Sequence, residues 1–135
     1  MSKIIESITP DTWQKTRGIY SPAKKIDLGN CYLIFVSGQQ VEKNENNEAI
    51  TDNVTEQTES IFRQLNTILQ ACGASIENVV KAQIFVTDIN DFKEISKVRD
   101  KWFCNCKPVS TLIEVNGMTR KGAKVEIEVT AILEK

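Results

Sequence analysis

Glu126 and Glu128 stand two residues apart in Val125-Glu126-Ile127-Glu128-Val129. On a β-strand that spacing puts both carboxylates on one face. If water bathes the face, the pair is a solvated edge. If a second subunit covers it, a partly buried carboxylate takes up a proton closer to neutral pH and can orient a water for attack. Ser37-Gly38-Gln39 follows the apolar run Tyr32-Leu33-Ile34-Phe35-Val36. Its glycine either lets backbone approach a ligand closely or forms an ordinary turn. Cys104 and Cys106 carry thiols, but the Cys-Asn-Cys spacing is wrong for a zinc knuckle. The sequence contains no histidine, which removes the nucleophilic and metal mechanisms that rely on imidazole. No metal or cofactor is expected.

Composition narrows the field further. The 135 residues suit one domain with one buried core, and 41% hydrophobic with 26% charged residues is an ordinary globular balance. Lysine and arginine (17) nearly offset aspartate and glutamate (18), so the basic footprint that neutralises phosphates is missing and nucleic acid is not an expected partner. Met1-Ser2-Lys3-Ile4-Ile5-Glu6 turns polar too early for a signal peptide, and no apolar stretch reaches membrane-spanning length. A cytoplasmic location is expected, with Cys31, Cys72, Cys104 and Cys106 as free thiols in a reducing compartment.

The elements that must position these groups can be read from periodicity. Residues 32–36 read as a buried strand ended by Ser37-Gly38, and the charged, amide-rich residues 42–48 as a solvated loop. A helix is expected to start at Thr51 or Asp52 as cap and to bury Val54, Ile61, Leu65, Ile68, Leu69 and Cys72, with Gly73 as its stop. The β-branched run 79–86 reads as a central strand. A second helix is expected from 88–91, with Asn90 as cap and Phe92, Ile95, Val98, Trp102 and Phe103 buried. Pro108 closes the connection to a strand over 110–115, Asn116-Gly117 turns the chain, and the last strand alternates between apolar Val125, Ile127, Val129, Ala131 and polar Glu126, Glu128, Thr130. This order predicts a two-layer α+β domain, a mixed sheet with two helices on one face, spanning residues 1–135.

The chain resembles the RidA/YjgF family, also called endoribonuclease L-PSP or YjgF/YER/UK-type proteins. The likeness is carried by Gly18-Ile19-Tyr20-Ser21-Pro22-Ala23, Asp27-Leu28-Gly29-Asn30, Phe35-Val36-Ser37-Gly38-Gln39, residues 79–88, Asp91-Phe92, Pro108-Val109-Ser110-Thr111 and residues 125–132. Each motif alone is weak, whereas their order over more than a hundred residues is specific. The resemblance implies a chorismate-mutase-like fold assembled as a homotrimer, with a small-molecule cleft between subunits. Family members hydrolyse reactive enamines and imines to a keto acid and ammonia. They clamp the substrate carboxylate with the arginine of a Pro-x-Arg-Ser motif.

Carried over position by position, the resemblance implies that Tyr20 lines the cleft and Glu126 positions the attacking water. It also implies that Ser37, Gly38 and Gln39 lie at the substrate. The arginine is replaced by Ser110, a hydroxyl without charge. Losing a charge-assisted contact to a desolvated partner costs about 2–5 kcal/mol. Ser110 and Thr111 remain as hydrogen-bond donors, and Lys107, Arg120 or Arg17 is a cation that could substitute from a neighbouring position. Three functions follow: a hydrolase of altered specificity acting on an imine or related C–N bond; a non-catalytic trimeric binder using the same cleft; and the ribonuclease of the older label. Near-neutral charge and the missing histidine argue against the third.

Overall fold

The computed structural model describes residues 3–14 and 19–135; Gly18 of the N-terminal motif and Arg17 lie outside the described residues. Six strands, β1 (Ile5–Ile8), β2 (Ala23–Asp27), β3 (Cys31–Gln39), β4 (Val79–Val86), β5 (Val109–Glu114) and β6 (Val125–Glu134), form one sheet in the order β1-β2-β3-β6-β4-β5. β4 and β5 run parallel; the other pairs are antiparallel. Helices α1 (Val54–Ala71) and α2 (Phe92–Trp102) complete the chain. The mixed sheet with two helices matches the expected α+β class.

The core lies between sheet and helices. From β6 it takes Val125, Ile127, Val129 and Ala131, from β4 Ala82, Ile84 and Val86, and from α1 Ile61, Leu65, Ile68 and Leu69. These are the positions that period-2 and period-3.6 patterning select. Phe62, missing from the expected stripe, is fully buried and joins the helices. Its ring stacks on Trp102 at 5.7 Å and meets Phe103 edge-on at 5.0 Å. The other sheet face stays open and mixes polar with apolar side chains, with Lys81, Gln83, Glu126, Glu128 and Thr130 partly or fully exposed beside Phe35, Phe85 and Ile113.

Several boundaries differ from expectation for local reasons. Asn53 caps α1, its Oδ1 accepting from the Glu56 N–H at 2.9 Å, while Thr51 donates to the Glu56 carboxylate and Asp52 makes no cap. Ahead of α2, Asp88 caps a 3-10 turn, Ile89–Asp91. Asn90, the expected cap, instead donates its N–H to Asp88. Phe92 is 47% exposed rather than buried, with Arg99 lying over its ring. The turn expected at Asn116-Gly117 is a bend at Asn116, in a connection from β5 to β6 that passes β4, which stands between them. Gly73 takes φ +83° after α1, the left-handed stop expected of it.

The departure that matters most is in β3. The strand does not end at Ser37-Gly38 but passes through them. Its register against β6 slips between Val36↔Val129 and Gln39↔Ile127, which makes Ser37-Gly38 a β-bulge. Nor is β3 buried throughout, since Phe35 is 47% exposed on the open face. A bulge bends its strand and re-aims neighbouring side chains, and this one lies against Glu126.

Candidate functional site

Glu126 opposes Phe85 of β4 on the open sheet face. Its carboxylate is held from the side: Gln40 Nε2 donates to Oε1 at 2.7 Å. The same amide nitrogen reaches Thr119 Oγ1 at 3.1 Å, and Gln40 Oε1 accepts from the Arg120 N–H at 3.2 Å. Gln40 is itself anchored through its carbonyl, which accepts from Gln64 Nε2 at 3.1 Å. The other carboxylate oxygen lies against Gly38. A Cβ built on Gly38 would sit 2.6 Å from Glu126 Oε2 and 2.9 Å from its Cδ. Only a residue without a side chain leaves the carboxylate that position.

The N-terminal segment is fastened to this spot by the bulge. Ser37 Oγ donates to the Ser21 carbonyl at 2.7 Å and the Ser37 N–H donates to the Pro22 carbonyl at 2.9 Å. Ser37 therefore braces the segment that carries Tyr20. Gln39 folds its amide back onto the Ser37 carbonyl at 3.0 Å. Tyr20, Gly38, Gln39, Gln40, Thr119 and Arg120 line a cavity of about 290 Å³. Of the residues expected at the site, the fold thus gathers Tyr20, Ser37, Gly38, Gln39 and Glu126.

Ser110 and Thr111 are not in this group. Ser110 opposes Ala82 of β4, which opposes Val129 of β6, three residues along from Glu126. Within one chain, two strand spacings of about 4.8 Å and three residues of about 3.3 Å separate them. They also lie on opposite faces, since Ser110 shares the helix-side face with buried Ala82 and Ile84, while Thr111 shares Gln83's open face. Ser110 lines a separate cavity of about 590 Å³ with Arg99, Phe103, Cys104, Lys107 and Pro108. Of the possible substitute cations, Lys107 is thus beside Ser110, Arg120 is beside Glu126, and Arg17 is outside the described residues.

Sequence patterning gives no signal for Gln40, whereas Arg120 is one of the three cations named as possible substitutes for the arginine. Arg120 Nη1 donates to the Val41 carbonyl, and Nε is buried without a hydrogen-bond partner among the described residues. Burial pushes the pKa of the guanidinium down, while Tyr20 and Glu126 attract its charge and oppose that shift. An arginine remains cationic through such shifts. Cys106 is half-buried, its thiol pKa pushed up by burial and then by Glu77, and Cys104 is exposed. Among the described residues no cluster of three or more metal-ligating side chains occurs, and no helix is long and apolar enough to cross a membrane.

The family model "Endoribonuclease L-PSP" matches residues 13–133. Protein DfrA of Myxococcus xanthus is 32% identical over 127 residues, 94% of this chain and 95% of its own. A 2-iminobutanoate/2-iminopropanoate deaminase of Mus musculus is 29% identical over 133 residues, covering 98% of this chain and 95% of the mouse protein. The crystal structure of E. coli TdcF with bound serine superposes with a TM-score of 0.77 at 26% identity, covering 96% of this chain and 99% of TdcF. A match along almost the whole length and the shared fold make this chain a member of the endoribonuclease L-PSP family, the RidA/YjgF family of its motifs.

Proposed function

We propose that this protein hydrolyses an enamine, imine or related C–N bond of a small metabolite, in a cleft formed between the subunits of a cytoplasmic homotrimer. The observation that carries the reading is the Glu126 carboxylate, fixed by Gln40 at 2.7 Å and packed on Gly38, beside the polar cavity lined by Tyr20. A carboxylate so fixed can take a proton from water as the oxygen attacks the C=N carbon, then return it to the departing amine. Water and imine become ketone and ammonia, and an enamine reaches the same step once tautomerised. Relatives named 2-iminobutanoate/2-iminopropanoate deaminase support the reaction class. Ser110 and Thr111, which reach the cleft from a neighbouring subunit in this scheme, offer hydrogen bonds where the family places an arginine. Specificity is altered accordingly.

A second reading, a non-catalytic trimeric binder of small metabolites, draws on the same substitution, because Ser110 brings no charge to its cavity. A dehydratase-coupled assay separates the two. Serine or threonine dehydratase generates the unstable imine, and keto-acid release is followed with the native protein, Glu126→Ala and Ser110→Arg. Hydrolysis predicts acceleration by the native protein that Glu126→Ala abolishes. Acceleration that survives Glu126→Ala removes the water-orienting role. Acceleration by Ser110→Arg alone marks a retuned cleft, and no acceleration by either favours the binder.

A further inference from the structure

We infer that Arg120 binds the substrate's carboxylate, supplying from the Glu126 side of the site the positive charge that position 110 lacks. Three observations lead here. Arg120 is secured as a structural residue would be, through its N–H to Gln40 and its Nη1 to the Val41 carbonyl. Yet its Nε is buried with no acceptor among the described residues, and a buried guanidinium N–H left unpaired is costly enough to require a reason. The Nε–H belongs to the Nε–Nη2 edge, the one whose parallel donors take a carboxylate side-on. Among the described residues Arg120 forms no ion pair, and the Glu126 carboxylate, whose charge it feels, is held by Gln40.

The surroundings favour the same ligand. Arg120 lines both the 290 Å³ cavity shared with Tyr20 and Gly38 and an outer cavity of about 600 Å³, where Lys43 and Arg63 outnumber Glu42. An anionic group seated on Arg120 thus meets further positive charge on its outer side, while the neutral end of the molecule faces Glu126. Lys107, the competing cation, lines the Ser110 cavity on the helix side of the sheet. The inference deepens the proposed hydrolysis and rests on it for the reaction, though not for the binding.

The test uses pyruvate as probe, by calorimetry and by 15N–1H NMR of the arginine side chains in the native protein. Pyruvate should bind and shift the Arg120 Nε–H resonance. Arg120→Gln should weaken binding at least about 30-fold, and Arg120→Lys, which keeps the charge but loses the parallel donors, should fall between. The NMR arm needs no variant, so it stands even if Arg120→Gln fails to fold. Pyruvate binding without movement of that resonance, affinity unchanged in Arg120→Gln, or no binding at millimolar pyruvate each overturns the assignment. So does loss of binding in Lys107→Met with Arg120→Gln unaffected. Arg120-dependent binding with no acceleration of imine hydrolysis would refute the hydrolase and leave the assignment standing.

Discussion

Gly38→Ala adds one methyl group to the bulge and isolates what Glu126's position is worth. The new Cβ would meet Oε2 at 2.6 Å and Cδ at 2.9 Å. Ordinary contact begins near about 3.5 Å, so the carboxylate must retreat by about 0.9 Å. Gly38 does not need a left-handed backbone, so the substitution brings no dihedral strain of its own. Retreat stretches the 2.7 Å bond from Gln40, a loss of about 1–1.5 kcal/mol. Removing glycine freedom from the unfolded chain returns about 0.4–1 kcal/mol. Net stability should therefore fall by less than about 1 kcal/mol, a few degrees in melting temperature.

Turnover should respond far more strongly, because misplacing a catalytic group by about 1 Å costs on the order of 10²-fold. The coupled imine assay and a urea titration read the two effects separately. A double-mutant cycle then assigns the cause: in the Glu126→Ala background the stability cost of Gly38→Ala should vanish, since the atoms it strikes are gone. A cost that persists in that background, or turnover untouched in the single variant, refutes the proposed coupling of glycine and carboxylate.

Gln57→Leu should lower stability by about 2–4 kcal/mol in urea unfolding. Gln57 is fully buried, donates to the Thr51 and Gly122 carbonyls at 2.8 and 2.9 Å, and accepts from the Lys124 N–H at 2.8 Å, so the change orphans three backbone groups. With a thiol reagent at pH 8, exposed Cys104 should react first. Cys72, buried and with its thiol pKa raised by that burial, should react only as the protein unfolds. The Asp27 carboxyl pKa is lowered chiefly by its hydrogen bond from Lys135. Its contribution to stability is present above the unfolded pKa and lost as pH falls through the lower folded value. In Lys135→Met, NMR titration should show Asp27 protonating at higher pH, and an unchanged titration would refute the pairing.

The fold was legible wherever burial is one-sided and the segment regular. β4 begins and ends as its β-branched run predicts, and β6 alternates as read. β1 and β2 are not legible in sequence: Ala23-Lys24-Lys25-Ile26-Asp27 is polar and lacks a clean apolar alternation, although it pairs on both sides, with β1 and β3. Ser37-Gly38 reads as a strand end in sequence because a glycine after an apolar run has the same local signature at a strand end and at a bulge. The site was half legible. Tyr20, Gly38 and Glu126 came from motifs, but Gln40 meets Glu126 across 86 residues of sequence and Arg120 meets Val41 across 79. No local pattern encodes such pairings. The face on which Ser110 lies depends on its register with β4, which sequence spacing does not specify.

The sheet order also shapes how the molecule can come apart. β1, β2 and β3 form one antiparallel ribbon, β4 and β5 a parallel pair, and in the order of strands β6 alone stands between the two groups. Its partners on one side lie about a hundred residues away in sequence, as in Cys31↔Glu134. Such non-local closure is slow to nucleate. Until β6 docks, the facing edges of both halves are unpaired templates for another strand. A refolding chain should therefore be most prone to mispair with its neighbours in the interval when two half-sheets wait for their common strand. Substitutions in β6 that delay docking should then raise aggregation on refolding out of proportion to their effect on the finished fold.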